Sequence, residues 1–483
     1  MATPTQEQRR EKRLRERTPI TLEKVPTGIR GLDQVTHGGL PKGRTALVCG
    51  GPGAGKTLLG LEFLVRGAEL YNEPGVCVAF EETVEELTTN MASLGHNLTA
   101  LVKAKKLALD YVEIERKQIE ETGEYNLDGL FLRLKQAIDQ VKAKRVLLDT
   151  AELLFLGLEN EAIVRSELRR LFHWLKDAGV TAVVTAERGE NTLTRHGLEE
   201  YVADCVIVLD HRVTEQVSTR RLRVVKYRGS SHGTNEYPFL LDDDGISVMP
   251  ITSASLTHGA SAERVSSGVP GLDEMLSKKG FFRGSSVLIT GTAGTGKSSF
   301  SASFAHAACE RGERALYFSF EESPNQILRN MSSIGVDLNR GLSRGLLKIH
   351  ASRPTATGLE AHLAQMFKEV EDFQPDVVII DPITNLIAIG DQGSVKAMLT
   401  RLIDFLKMQN ITAMFTNLIY GEELEERAIG ISSLMDAWLV LRDLPSGAER
   451  VRSLNLLKCR GMKHDMRAHN FILGDKGIII HGN

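Results

Sequence analysis

Two short runs of the chain, Gly50-Gly-Pro-Gly-Ala-Gly-Lys-Thr57 and Gly291-Thr-Ala-Gly-Thr-Gly-Lys-Ser298, match the pattern G-x-x-x-x-G-K-[ST]. Each follows an apolar run and opens a helical pattern, the setting in which this motif cradles phosphate. Gly50, Gly51, Gly53, Ala54 and Gly55 in the first copy let backbone N–H groups turn toward phosphate oxygens. Gly291, Thr292, Gly294, Thr295 and Gly296 do the same in the second, and a helix N-terminus adds a favourable dipole. Lys56 and Lys297 then neutralise the β- and γ-phosphates, and the Thr57 and Ser298 hydroxyls ligate Mg²⁺. The expectation is two molecules of ATP or a related nucleotide per chain, each with its metal.

Such a site needs an acid at the end of a neighbouring strand to hold the metal. Asp149, after Arg145-Val-Leu-Leu148, and Asp381, after Val377-Val-Ile-Ile380, are the candidates. The carboxylate pairs Glu81-Glu82 and Glu321-Glu322 close the strand that follows each P-loop helix, where an acid can take a proton from an attacking water or hydroxyl. Late in each half come Lys226, Arg228 and His232, and Lys458, Arg460 and His464. Lys and Arg two apart on an extended segment share one face. Far in sequence from the P-loops, they suit cations supplied to a neighbouring subunit's nucleotide, which would make the active protein an oligomer.

These landmarks sit on one plan written twice. Val25-Pro-Thr-Gly-Ile-Arg-Gly-Leu-Asp33 returns as Val265-Ser-Ser-Gly-Val-Pro-Gly-Leu-Asp273, Phe80-Glu-Glu82 as Phe320-Glu-Glu322, and Lys226-Tyr-Arg-Gly229 as Lys458-Cys-Arg-Gly461. Repeats in one order at nearly constant separation identify a duplicated domain. Short apolar runs such as Val76–Phe80, Val146–Leu148, Val287–Ile289 and Val377–Ile380 alternate with longer helical patterns. That alternation predicts an α/β fold of two tandem P-loop domains, each a mainly parallel sheet covered by helices. The expected division is a charged arm at 1–20, a first domain at 21–249, a linker at 250–263 rich in small and polar residues, and a second domain at 264–483. Trp174, among Leu168, Leu171, Phe172 and Leu175, reads as core packing.

Composition narrows the function. Hydrophobic residues at 42% and charged residues at 25% are an ordinary globular balance. A net charge of −3 supplies no general basic field for nucleic acid. The five scattered cysteines fit neither a disulfide framework nor a metal cluster, and point to a reducing compartment, the cytoplasm. No apolar run is long enough to span a membrane. A DNA-dependent recombination or repair ATPase is the alternative from another class, and DNA is not the expected partner. The chain has no basic stripe with interleaved aromatics and no paired CxxC module.

From about Leu22 to Ile480 the chain resembles the KaiC family, tandem RecA-like ATPases and autokinases of the circadian clock in photosynthetic bacteria. The resemblance rests on the motifs above and on Tyr227-Arg-Gly-Ser-Ser-His-Gly-Thr-Asn-Glu-Tyr-Pro-Phe239, Ile431-Ser-Ser-Leu-Met-Asp436 and Asp475-Lys-Gly477. It implies a two-tiered homohexamer with ATP between subunits, hydrolysis in the first domain, and serine autophosphorylation and dephosphorylation in the second. It makes Ser432 and Ser433 the phosphoacceptors, with Ser433 standing where the family has Thr. The chain closes at Asn483, short of the tail that receives KaiA in clock members. The partner expected is therefore a KaiB-like or other signalling protein rather than KaiA, in a signalling or stress-adaptation role.

Overall fold

The protein is described from a computed structural model that covers residues 22–113, 127–155, 161–189, 193–194, 202–214, 217–250, 261–356, 358–390, 392–419, 429–446 and 449–481. The charged arm at 1–20 and most of the linker lie outside the described residues. Two compact units part after Pro250, and each carries a nine-stranded sheet.

In the first unit the strands of this sheet are β1 (Thr45–Gly50), β2 (Gly75–Ala79), β3 (Leu107–Tyr111), β4 (Arg145–Asp149), β5 (Thr181–Glu187), β6 (Cys205–Thr214), β7 (Val217–Tyr227), β8 (Tyr237–Asp242) and β9 (Gly245–Val248). They lie in the order β9-β8-β7-β6-β1-β5-β4-β2-β3. From β6 to β3 every pairing is parallel, whereas β7, β8 and β9 pair antiparallel. Helices α1 (Lys56–Leu70), α2 (Val84–Ser93), α3 (Asp128–Val141) and α4 (Glu161–Asp177) link the parallel strands.

The second unit repeats this order with β10 (Ser286–Gly291), β11 (Ala315–Ser319), β12 (Leu347–Ala351), β13 (Val377–Asp381), β14 (Thr412–Leu418), β15 (Ala437–Ser446), β16 (Glu449–Cys459), β17 (His469–Gly474) and β18 (Gly477–Ile480). Its nine-stranded sheet runs β12-β11-β13-β14-β10-β15-β16-β17-β18, and its longer helices among the described residues are α5 (Lys297–Glu310), α6 (Pro324–Ser332), α7 (Leu359–Phe373) and α8 (Gln392–Met408).

The central strands are apolar without alternation because helices cover both faces of the sheet. Val146, Leu147 and Leu148 are buried, as are Val377 through Ile380. Side chains of α3 and α4, including Leu134, Leu168 and Leu171, close one core against β4 and β5. Trp174 is half-buried and stacks on Phe131 at 5.3 Å, joining α4 to α3. Fully buried parallel strands carry their loops at fixed points, so whatever follows a strand end is held in place by the sheet.

Candidate nucleotide sites

Each P-loop leaves the end of its central strand and enters a helix. The residue capping α1 is Gly55 at φ 96°, and Gly296 caps α5 at φ 99°, a left-handed geometry that glycine adopts without strain. Lys56 follows immediately and donates from Nζ to the carbonyls of Gly50 at 3.0 Å and Gly51 at 3.2 Å. Lys297 reaches Gly291 at 3.0 Å and Thr292 at 2.8 Å in the same way. Both lysines curl over their own loops at the point where phosphate would sit. Burial lowers the pKa of Lys297, while Asp381 and Glu321 nearby favour its charged form.

The sheet brings the acids to the same edge. Phe80 N–H bonds the Asp149 carbonyl at 2.8 Å and Phe320 N–H the Asp381 carbonyl at 2.9 Å, so each Glu pair emerges beside its aspartate. Thr57 Oγ1 donates to Asp149 Oδ2 at 2.9 Å, pairing the two groups expected to share a metal. Thr185 donates to the other oxygen of Asp149, and Thr416 does so for Asp381. Thr150 Oγ1 bonds Glu81 Oε2 at 3.2 Å. Asn90 Nδ2 approaches Glu82 Oε2 at 3.4 Å, and Asn330 Nδ2 bonds Glu322 Oε1 at 3.1 Å.

Capping boxes at Thr83/Glu86 and Ser323/Gln326 start α2 and α6 directly after the acid pairs and fix their exit direction. Burial raises the pKa of Glu82 and of Glu322, and neighbouring carboxylates, Asp149 and Asp381 foremost, push the same way. Burial also raises that of Asp149. A carboxylate held above its ordinary range is a better proton acceptor.

In the second unit these groups line a cavity of about 320 Å³ bordered by Gly294, Lys297, Ser298, Glu321, Glu322 and Asp381. Oxygen donors of this kind beside a P-loop lysine suit a hard divalent cation with phosphate. Thr57 with Asp149, and Ser298 with Asp381, are the side chains that would hold it.

The late cations stand elsewhere in each unit. Asp204 N–H bonds the carbonyl of Thr45, the first residue of β1, and Arg228 N–H bonds the carbonyl of Asp204. Asp436 N–H bonds the Ser286 carbonyl and Arg460 N–H the Asp436 carbonyl. Lys226 and Lys458 lie near the ends of β7 and β16, so they too are at the edge where the central strand begins, opposite the P-loop. Ser432 and Ser433 join them: Lys458 Nζ donates to the Ser432 carbonyl at 2.8 Å and Arg460 to the Ser433 carbonyl at 2.7 Å. Ser433 is exposed and Ser432 is buried. His232 Nδ1 lies 2.9 Å from the Gly233 carbonyl, with its ring beside Tyr227, and His464 Nδ1 lies 3.0 Å from the Met462 carbonyl.

Local sequence pattern marks neither Thr185 and Thr416 on the aspartates nor Asn90 and Asn330 on the glutamates. Asn90 and Asn330 follow their Glu pairs at the same spacing in both repeats, a signal that comparison of the two halves carries.

The family model for the KaiC ATPase matches residues 25–253 and again 265–483. The circadian clock protein KaiC2 of Synechocystis sp. is 54% identical over 95% of this chain and 81% of its own length. The circadian clock oscillator protein KaiC of Thermostichus vulcanus is 37% identical over 96% of this chain and 90% of its own. That of Synechococcus elongatus is 37% identical over 94% and 88%. The matches do not favour the DNA-dependent alternative. With two RecA-like repeats, each matched along its length, the chain belongs to the KaiC family of ATP-binding ATPases.

Proposed function

We propose that the protein hydrolyses ATP at its first site and, at its second, transfers phosphate to Ser432 or Ser433 of a neighbouring copy and later removes it. The observation that carries this reading is the split of each unit into two edges. The P-loop, the metal-holding aspartate and the Glu pair stand at one edge and the Lys/Arg cations at the other, where in the second unit Ser432 and Ser433 stand with them. Such a unit cannot complete its own site. A ring in which the cation edge of one copy meets the P-loop edge of the next can, and a homohexamer of two tiers is the assembly proposed.

In the transfer step the serine Oγ attacks the γ-phosphorus, its proton passes to the carboxylate of Glu322 or Glu321, and the bond to the β,γ-bridging oxygen breaks to release ADP. Mg²⁺, when bound, neutralises charge on the β- and γ-oxygens. Lys297 orients the γ-phosphate, and Lys458 and Arg460 from the neighbour offset charge that builds in the transition state. In the first site Glu81 and Glu82 orient and deprotonate water, Lys56 holds the phosphate, and Lys226 and Arg228 arrive from the neighbour.

The relatives are named for the circadian clock. The role proposed here is signalling, clock-related or in stress adaptation, with phosphorylation state as the output read by a KaiB-like or other partner. Incubation with ATP labelled in the γ-phosphate, followed by mapping of the label, tests the chemistry. Label on Ser432 or Ser433 that is lost in Glu321→Gln/Glu322→Gln is expected, and ATP turnover with no serine label would reduce the protein to an ATPase.

A further inference from the structure

The two sites share their motifs but differ under the metal-holding aspartate. Asp149 and Asp381 end equivalent strands, and each takes a threonine hydroxyl on Oδ1, from Thr185 and Thr416. On Oδ2 they part. Asp149 accepts from Thr57, itself expected in the metal's shell, at 2.9 Å. Asp381 Oδ2 instead accepts from the Tyr317 hydroxyl at 2.5 Å.

Tyr317 is the third residue of β11, paired with Ile379 of β13, and Cys77 holds the same register in the first unit, paired with Leu147. A thiol there is too short to take the phenol's place. Tyr317 is fully buried in the core cluster, and its strand is paired on both sides, so the hydroxyl has no room to withdraw.

We propose that Tyr317 is a positioning residue of the second site, its hydroxyl pinning Asp381 Oδ2 and giving that site a weaker hold on divalent cations than the first. An ionised carboxylate oxygen has two lone pairs, and a phenol hydrogen bond engages one while drawing electron density from the other. At Asp149 a cation gains a carboxylate oxygen whose present donor, Thr57, turns to become a fellow ligand. At Asp381 a cation or its bound water must share Oδ2 with a donor that stays. One chain thus carries two unequal metal sites, and the second half-fills at a higher divalent-cation concentration. The inference rests on the proposed role of Asp381 as the metal-holding acid.

The test is a Mn²⁺ titration of the full chain carrying two equivalents of a non-hydrolysable ATP analogue, with free Mn²⁺ followed by its paramagnetic resonance. Two affinity classes are expected, and Asp381→Asn removes the weaker. Tyr317→Phe, which keeps the buried ring, tightens the weaker class by at least about threefold and leaves the tighter one unchanged. Tyr317→Leu, also without a hydroxyl, gives the same shift if folding tolerates it. Unchanged or weakened Mn²⁺ binding in Tyr317→Phe, with the unfolding midpoint preserved, overturns the inference alone. Persistence of both classes in Asp381→Asn overturns the metal role of Asp381 and the inference with it.

Discussion

Two variants, each unable to label itself, should restore labelling when assembled together. In one, Lys297→Ala removes the phosphate-binding cation and leaves Ser432 and Ser433 intact. In the other, Ser432→Ala/Ser433→Ala removes the proposed acceptors and leaves the P-loop intact. Strand β10 runs from Ser286, next to the acceptor edge, to Gly291, where the P-loop begins. At about 3.3 Å per residue its ends are roughly 17 Å apart. Reacting atoms must come within about 3–3.5 Å of one another. A serine side chain cannot bridge that difference within one unit, so the proposed transfer to Ser432 or Ser433 would have to cross between copies.

If equal amounts of the two chains enter closed rings at random, about one interface in four joins an intact P-loop to an intact acceptor. The co-assembled preparation is therefore expected to take up about a quarter of the native label, all of it on the Lys297→Ala chain. Mass spectrometry distinguishes the chains by their substitutions. No label above that of the separate variants, with mixed rings confirmed, would refute the crossing geometry. Label on a chain that also carries its own intact P-loop, in a preparation of separated monomers, would refute it too.

Burial and the nearby carboxylates hold the pKa of Glu322 above the ordinary value, so it gains a proton, and would lose its proposed role as base, at a higher pH than an exposed glutamate. Labelling should fall on acidification, and Asn330→Ala should move that fall to higher pH, because the Asn330 bond favours the charged form. A pH profile identical to the native one would count against Glu322 as base. In the first unit the buried Arg145 guanidinium serves Glu73, the Phe63 carbonyl and the Pro26 carbonyl. Arg145→Met should cost about 3 kcal/mol in denaturant unfolding of that unit by leaving these acceptors unpaired, while Lys297-dependent nucleotide binding persists. Arg460→Ala should reduce labelling by about 10³-fold without loss of nucleotide, as expected for a cation acting on the transition state; a defect confined to nucleotide affinity would argue for a ground-state role.

The features legible in sequence are those set by local pattern. Val377–Ile380 announces a buried parallel strand because both of its faces are covered, and the P-loops carry their glycines and lysine in one contiguous run. The repeat makes the second site readable from the first. What stayed hidden depends on register between distant segments. Lys458 and Ser432 are linked through a carbonyl that only the pairing of β15 with β16 brings within reach. Tyr317 and Cys77 are visible as a difference between the repeats, yet each reads as an ordinary core residue until strand register sets it under an aspartate. Thr185 and Thr416 were silent for the same reason, since strand threonines are common and nothing local marks these two.

The central claim is that each repeat holds its own nucleotide, and binding stoichiometry tests it most directly. Equilibrium dialysis with a labelled non-hydrolysable ATP analogue and Mg²⁺ should give two nucleotides per native chain, one in Lys56→Ala, one in Lys297→Ala and none in the double variant. One nucleotide per native chain, or full occupancy in either single variant at concentrations that saturate the native protein, would contradict the account.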